Sequence, residues 1–231
     1  MIMGFFRKNY DREGAGTPLP EGGIRRYCTV LATHFWSLIE LNLLFVLVSL
    51  PVITLPAALC AMNRVCLLYI RDGYCALWHD FWKEFKSSFL RSLLPAAGFT
   101  LLLLAGIYVL ALGPANAAQP VWFVIFTAAG VSILGFCLCW ASYFFAYVPL
   151  LDQKNKDVSK NARLMCLVSP GRLFGTLGVL ALGAALAVLM APNSIVLLLV
   201  CIPVLVQFTV CFLANDLAET YILTADAEET L

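Results

Sequence analysis

Long apolar runs alternate with short polar segments along this chain, and the pattern predicts helices that cross a membrane. Six runs stand out, at 35–50, 57–70, 93–112, 121–147, 173–191 and 195–214. Spanning the hydrocarbon core of a bilayer takes about 20 apolar residues in a helix. Because lipid offers no hydrogen-bond partner to a free backbone group, each run is predicted to be helical.

The first two runs leave an alternative open. The second run is short, and the first ends at Pro51. They are therefore either two full spans or a re-entrant hairpin. We favour two full spans, because an even number of crossings keeps the basic loops on one side.

Basic residues are confined to alternate connections between the runs. All but one of the 15 Lys and Arg residues precede the first run, or lie between the second and third or the fourth and fifth. The exception, Arg64, lies inside the second run. Lys and Arg are retained on the cytoplasmic side during insertion, so both termini and the long loops are predicted to be cytoplasmic.

Composition excludes a soluble domain. The chain is 61% hydrophobic and 13% charged, with a mean hydropathy of +0.88, and a soluble fold of this size cannot bury that much apolar surface. The predicted fold is an all-α membrane protein, a six-transmembrane-helix bundle with a cytoplasmic interfacial amphipathic helix. Residues 1–27 form a cytoplasmic segment, 28–216 the transmembrane domain with cytoplasmic loops 71–92 and 149–172, and 217–231 an acidic cytoplasmic tail.

The amphipathic helix is predicted at 74–91. Its apolar residues recur at helical spacing, with charged and polar residues on the opposite face. The helix either rests on the membrane surface or docks into a groove on a partner protein. The candidate docking residues are Trp78, Phe81, Trp82, Phe85 and Phe89.

Polar residues inside the apolar runs are the other candidate site. Glu40 and Arg64 lie about 10 Å deep, at the usual rise per residue, on neighbouring antiparallel helices. Asn42 and Asn63 flank them. Charge within lipid is costly, so we expect the two charged side chains to form an ion pair. This group is either a structural clamp or a polar, proton-linked pocket.

Nothing in the sequence indicates catalysis. The nine cysteines lie within apolar runs or near the cytoplasmic side, and none occurs at the spacing of a metal site. No nucleophile with a base and no Gly-rich phosphate loop is present. We therefore expect no catalytic, cofactor, metal or nucleic-acid site.

Several short motifs give the chain a family resemblance. They are Leu41-Asn42-Leu43-Leu44, Ser49-Leu50-Pro51-Val52-Ile53-Thr54, Ala57-Ala58, Asp72-Gly73-Tyr74, Phe81-Trp82, Phe85-Lys86 and Phe89. Together they resemble the YesL-like bacterial membrane proteins, a domain-of-unknown-function family numbered 624. Two positions depart from the family pattern. Ser88 stands where Asn is common, and Glu40 where a basic or neutral residue is expected.

The resemblance implies a role in sugar uptake. Members of the family are often encoded beside carbohydrate ABC importers in Gram-positive bacteria, and no enzyme activity is assigned to them. The chain is therefore expected to be a non-enzymatic accessory protein of the bacterial plasma membrane, with membrane lipid and ABC transporter subunits as partners. The alternative is a small-molecule-binding membrane subunit or transporter.

Overall fold

The protein is helical throughout the part of the chain that the structure describes. This computed structural model describes residues 23–115, 119–151, 153–190, 195–218 and 220. The helices are α1 (Gly23–Thr33), α2 (Phe35–Ser49), α3 (Leu55–Asp72), α4 (Leu77–Ala115), α5 (Pro120–Tyr147), α6 (Asn155–Val168), α7 (Pro170–Met190) and α8 (Ile195–Ala218), with a 3₁₀ turn at Val52–Thr54. Within these ranges there is no strand, so the all-α prediction is confirmed.

Three helices in these ranges are long and apolar enough to cross a membrane. They are Val52–Asp72, Leu77–Ala115 and Pro120–Tyr147. Two helix pairs pass the same test together but are sharply bent: α1 with α2 by 73°, and α6 with α7 by 101°. Counting each bent pair as one span gives up to five. The chain is thus compatible with a multi-pass membrane protein.

The predicted interfacial helix at 74–91 is not a separate element. It forms the first part of α4, which has 39 residues and continues through the third apolar run. At about 1.5 Å per residue α4 is roughly 58 Å long, nearly twice the thickness of a bilayer core. The residues of both stretches favour a helix. Pro95 lies inside α4 and does not end it, so the two stretches form one continuous helix.

The two halves of α4 pack against different helices. α3 has 18 residues, about 27 Å, and α4 begins four residues after α3 ends, so the antiparallel α3 reaches only residues 77–94. α5 packs along the second half at small residues. A Cβ added at Gly130 would lie 2.7 Å from the Cα of Leu110, and one at Gly106 would lie 2.8 Å from the Leu134 side chain.

Burial differs between these two levels. In the most apolar stretch of the helix that contains α3, 61% of the residues are buried inside the protein. In the corresponding stretches of α4 and α5, 11% of the residues are buried. We call the part around α3 and residues 77–94 the packed layer, and the part around residues 95–115 and 120–141 the open layer. Apolar side chains of the open layer mostly face outward, as lipid-facing helices require.

Specific residues cap the two ends of the α2–α3 hairpin. Gly73 ends α3 in the left-handed conformation, with φ of 68°, which other residues rarely adopt. At the opposite end, the Thr54 hydroxyl donates to the carbonyl oxygens of Val48 (2.5 Å) and Pro51 (2.6 Å). Ser49 donates to the carbonyl of Val46. These contacts satisfy backbone acceptors that the break in the helix leaves free.

Candidate functional site

Glu40 and Arg64 do not form the expected ion pair. The Glu40 carboxylate is exposed and accepts a hydrogen bond of 2.6 Å from the indole nitrogen of Trp78. Arg64 Nη1 donates to the carbonyl oxygen of Pro149, 3.0 Å away, in the turn after α5. Matched depth along two helices was not enough, because the two side chains point to different neighbours. Each polar group connects its own helix to another part of the bundle.

The two asparagines are buried, as an intramembrane polar cluster requires. Asn42 and Asn63 are both completely inaccessible to solvent. The Oδ1 of Asn63 lies 3.4 Å from the thiol of Cys211, which links α3 to α8. The Nδ2 of Asn63 and the Nε2 of Gln207 are buried without a hydrogen-bond partner in the described chain.

The candidate docking face is divided by the fold. Phe81 is 0% exposed and belongs to the core, so the prediction that it contacts a partner is wrong. Phe85 and Phe89 are partly buried, and Phe85 packs on that core. The reason is α3, which covers this side of α4. Trp78 and Trp82 remain exposed, at 55% and 37%.

A shallow groove lies on the exposed side of the first half of α4. It has a volume of about 410 Å³ and is lined by Trp78, His79, Trp82, Lys83 and Lys86. We call it the α4 groove. Its lining combines aromatic rings with positive charge, a composition common at membrane–water interfaces.

Asp80 fixes the start of α4 below this groove. Its Oδ2 accepts the backbone N–H of Ala76 (3.0 Å) and the thiol of Cys75 (3.3 Å). A carboxylate in the first turn also complements the helix dipole. Burial and the hydrogen bond to Asp80 raise the pKa of the Cys75 thiol, so Cys75 is a structural donor and a poor nucleophile.

Two arginines hold the packed layer together. From the sequence, they were expected only to mark the cytoplasmic side of the membrane. Arg26 donates to the carbonyl of Ile70 through Nε (3.0 Å) and Nη2 (2.6 Å), at the end of α3. Arg91 Nε donates to the Oδ1 of Asn155 (2.8 Å), and the Nδ2 of Asn155 returns a bond of 2.8 Å to the Arg91 carbonyl. Pro95 frees that carbonyl, because it has no N–H to donate to the residue four positions earlier.

An ion pair joins α7 and α8. Arg172 Nη2 lies 2.6 Å from Asp216 Oδ2. Among the residues described, no three His, Cys, Asp or Glu side chains come together to hold a metal ion. The polar groups described in this region therefore connect helices.

Comparison with known proteins gives a family match for part of the chain. Residues 38–112 match the family model described as a protein of unknown function, DUF624. The match covers most of α2, all of α3 and most of α4, and it includes the helices that form the packed layer and the α4 groove. No curated protein and no solved structure matches the chain.

Proposed function

We propose a role for this protein, whose residues 38–112 match the DUF624 family model, a family of unknown function. The protein is a non-enzymatic integral membrane protein that acts as an accessory subunit of a carbohydrate ABC importer in a bacterial plasma membrane. The sugar-importer partner comes from the resemblance described above. The accessory role comes from the geometry.

One observation carries the accessory role: several polar side chains of the bundle bind its own helices. Glu40 bonds to Trp78, Arg64 to the carbonyl of Pro149, and Arg172 to Asp216. A transporter or ligand-binding subunit needs polar groups that converge on a cavity. Groups that connect helices support a rigid scaffold, whose work is done at its surface.

Trp78 and Trp82 are the candidate contacts with the importer. They are large, exposed and next to a rigid core, and tryptophan is frequent among the residues that dominate binding energy at interfaces. Truncating Trp82 to alanine removes such a contact at the surface and leaves the core in place, because Trp82 is 37% exposed whereas its neighbour Phe81 is the buried core residue.

Co-purification from native membranes in mild detergent tests this role. Trp82→Ala should reduce the recovered permease at least tenfold, since a central interface residue contributes about 2 kcal/mol or more. Trp122→Ala is the matched control, because Trp122 is 49% exposed and lies on α5, near the end of the open layer. Equal recovery with both variants would end the proposed contact. Absence of any permease with the unmodified protein would end the accessory role.

A second function is favoured by one specific observation. The buried nitrogens of Asn63 and Gln207 lack partners in the described chain, and a buried unpaired amide costs free energy unless a ligand or water satisfies it. A small polar molecule held between α3 and α8 would do so. Lipid-depleted protein analysed by native mass spectrometry would reveal such a ligand, and Asn63→Leu should abolish its binding.

The proposed orientation follows the basic residues. Both termini lie in the cytoplasm, and the connection around position 117 faces outward. In a cysteine-free background, a membrane-impermeant maleimide should label a cysteine at 117 but not at 156. The reverse pattern would overturn the orientation.

Labelling at position 53 decides the remaining alternative for the first two runs. The length of α2 supports the re-entrant hairpin, because its 15 residues give about 22 Å, short of a core of about 30 Å. We therefore expect a cysteine at 53 to resist the reagent added from outside. Labelling at 53 would instead support six full crossings.

A further inference from the structure

We propose that the α4 groove binds the headgroup of an anionic phospholipid of the cytoplasmic leaflet, with Lys83 and Lys86 as the cationic contacts. The site rests on the structure of α4 and not on the partnership with an importer. Three observations lead to it: the change of residue type along one face, the length of the apolar face above it, and the placement of the nearby carboxylates.

One face of α4 changes character within a single helical turn. Lys86 and Leu90 are four residues apart, and so are Leu90 and Leu94, so all three lie on the same side of the helix. Lys86 is exposed, while Leu90 and Leu94 are 80% and 82% exposed. Exposed leucines of this extent need lipid around them, and an exposed lysine needs water or a headgroup. The membrane surface therefore passes between Lys86 and Leu90.

The length of the apolar face agrees with this depth. From Leu90 to Leu112 the helix rises 22 residues, about 33 Å, which matches the thickness of a hydrocarbon core of about 30 Å. Lys86 and Lys83 then lie about 6 and 10 Å below the acyl chains. A lysine side chain extends several ångströms toward the interface, so both ammonium groups reach the phosphate level.

Nearby carboxylates are turned away from the lysine end of the groove. Glu84 bonds to the hydroxyl of the buried Ser88, on the opposite side of α4. Asp80 accepts the backbone N–H of Ala76 and the thiol of Cys75. Glu40 accepts the Trp78 indole N–H, at the other end of the groove.

The groove thus offers two ammonium groups to an anion at headgroup depth. Phosphate is the anion that is always present at this depth. An anionic headgroup satisfies the lysines better than a zwitterionic one, because phosphatidylcholine carries its own cation. A lipid also explains why the lysines adjoin exposed leucines, since one molecule can occupy both levels with its phosphate and its chains.

Native mass spectrometry of the full-length protein, titrated with phosphatidylglycerol or phosphatidylcholine, tests the site. The test variant is Lys83→Gln with Lys86→Gln. The control is Lys154→Gln with Lys156→Gln, which removes the same charge from the exposed start of α6. Lys83→Arg with Lys86→Arg keeps the charge and guards against loss of binding through misfolding.

We expect the unmodified protein, the α6 control and the arginine variant to prefer phosphatidylglycerol. The glutamine variant should bind it about thirtyfold more weakly, if each lysine contributes the usual attraction of a basic residue at an anionic surface. Equal affinity in the glutamine variant and the α6 control would overturn the proposal. So would displacement of the lipid by free glycerol phosphate at the same concentration, because the acyl chains would then contribute nothing.

Discussion

The contact between α4 and α5 at Gly130 gives the sharpest test of the packing. Replacing this glycine with alanine would place a Cβ 2.7 Å from both the Cα and the backbone nitrogen of Leu110. Ordinary contact begins at 3.4 Å, so the two helices would have to separate by about 0.7 Å. No side-chain rotation can relieve the clash, because both atoms of Leu110 are backbone.

Two effects of opposite sign determine how Gly130→Ala changes the free energy of unfolding. Overpacking of this kind costs about 1–3 kcal/mol, whereas alanine is favoured over glycine in a helix interior by up to about 1 kcal/mol. Gly98→Ala separates the two effects, since nothing lies within 4 Å of a Cβ added at Gly98, in the facing helix α4. We expect Gly130→Ala to be less stable than Gly98→Ala by about 1–3 kcal/mol.

Native cysteines make the measurement direct. Among the cysteines described, Cys28 is exposed and seven others are buried. In a Cys28→Ser background, a thiol-reactive dye reports thermal unfolding in mild detergent as the buried thiols become accessible. Gly130→Ala should unfold at a lower temperature than the parent, and Gly98→Ala at the same temperature or higher. Equal melting temperatures for the two variants would refute the close approach of α4 and α5.

Three further predictions concern the packed layer. In a double-mutant cycle of Glu40→Gln and Arg64→Met, the coupling free energy of unfolding should be below about 0.5 kcal/mol, because the two side chains have different partners; a coupling of several kcal/mol would restore the ion pair. Phe81→Ala should destabilise the protein by about 3–5 kcal/mol and Trp82→Ala by much less, since only Phe81 is fully buried; similar melting temperatures would contradict the division of the aromatic face. Asn155→Ala should cost about 1–3 kcal/mol, because it strands the carbonyl of Arg91; unfolding of this variant at the parental temperature would show that the bond contributes nothing.

Sequence patterns predicted the helices of the apolar runs well, for a physical reason, but did not predict α1 and α6, which lie outside those runs. Each of the six apolar runs lies within a helix of the structure, with ends that differ by a few residues, because long apolar segments can satisfy their backbone only as helices. The boundary between 74–91 and 93–112 could not be predicted. Both patterns are helical, and whether a helix continues past Pro95 depends on a distant group, Asn155, that satisfies the freed carbonyl.

The partners of individual side chains could not be predicted from the sequence, for a related reason. Spacing placed Glu40 and Arg64 at equal depth, but the rotation of each helix about its axis is set by packing. Periodicity likewise put Phe81 and Trp82 on one apolar face, without indicating that α3 covers only part of it. Distinguishing an internal contact from an external one requires the positions of the neighbouring helices.

In the proposed orientation, the unbroken course of α4 connects motion in the lipid to motion in the cytoplasm. With the membrane surface at the proposed level, about 20 Å of helix extends below it, from Leu90 to Leu77. If the bilayer thins and α4 tilts by about 10°, the lower end moves sideways by roughly 3–4 Å. Proline would ordinarily weaken such a rod at Pro95, but Asn155 bridges the gap that it leaves. Bilayer thickness is thereby coupled to the position of Trp78 and of the surface around it.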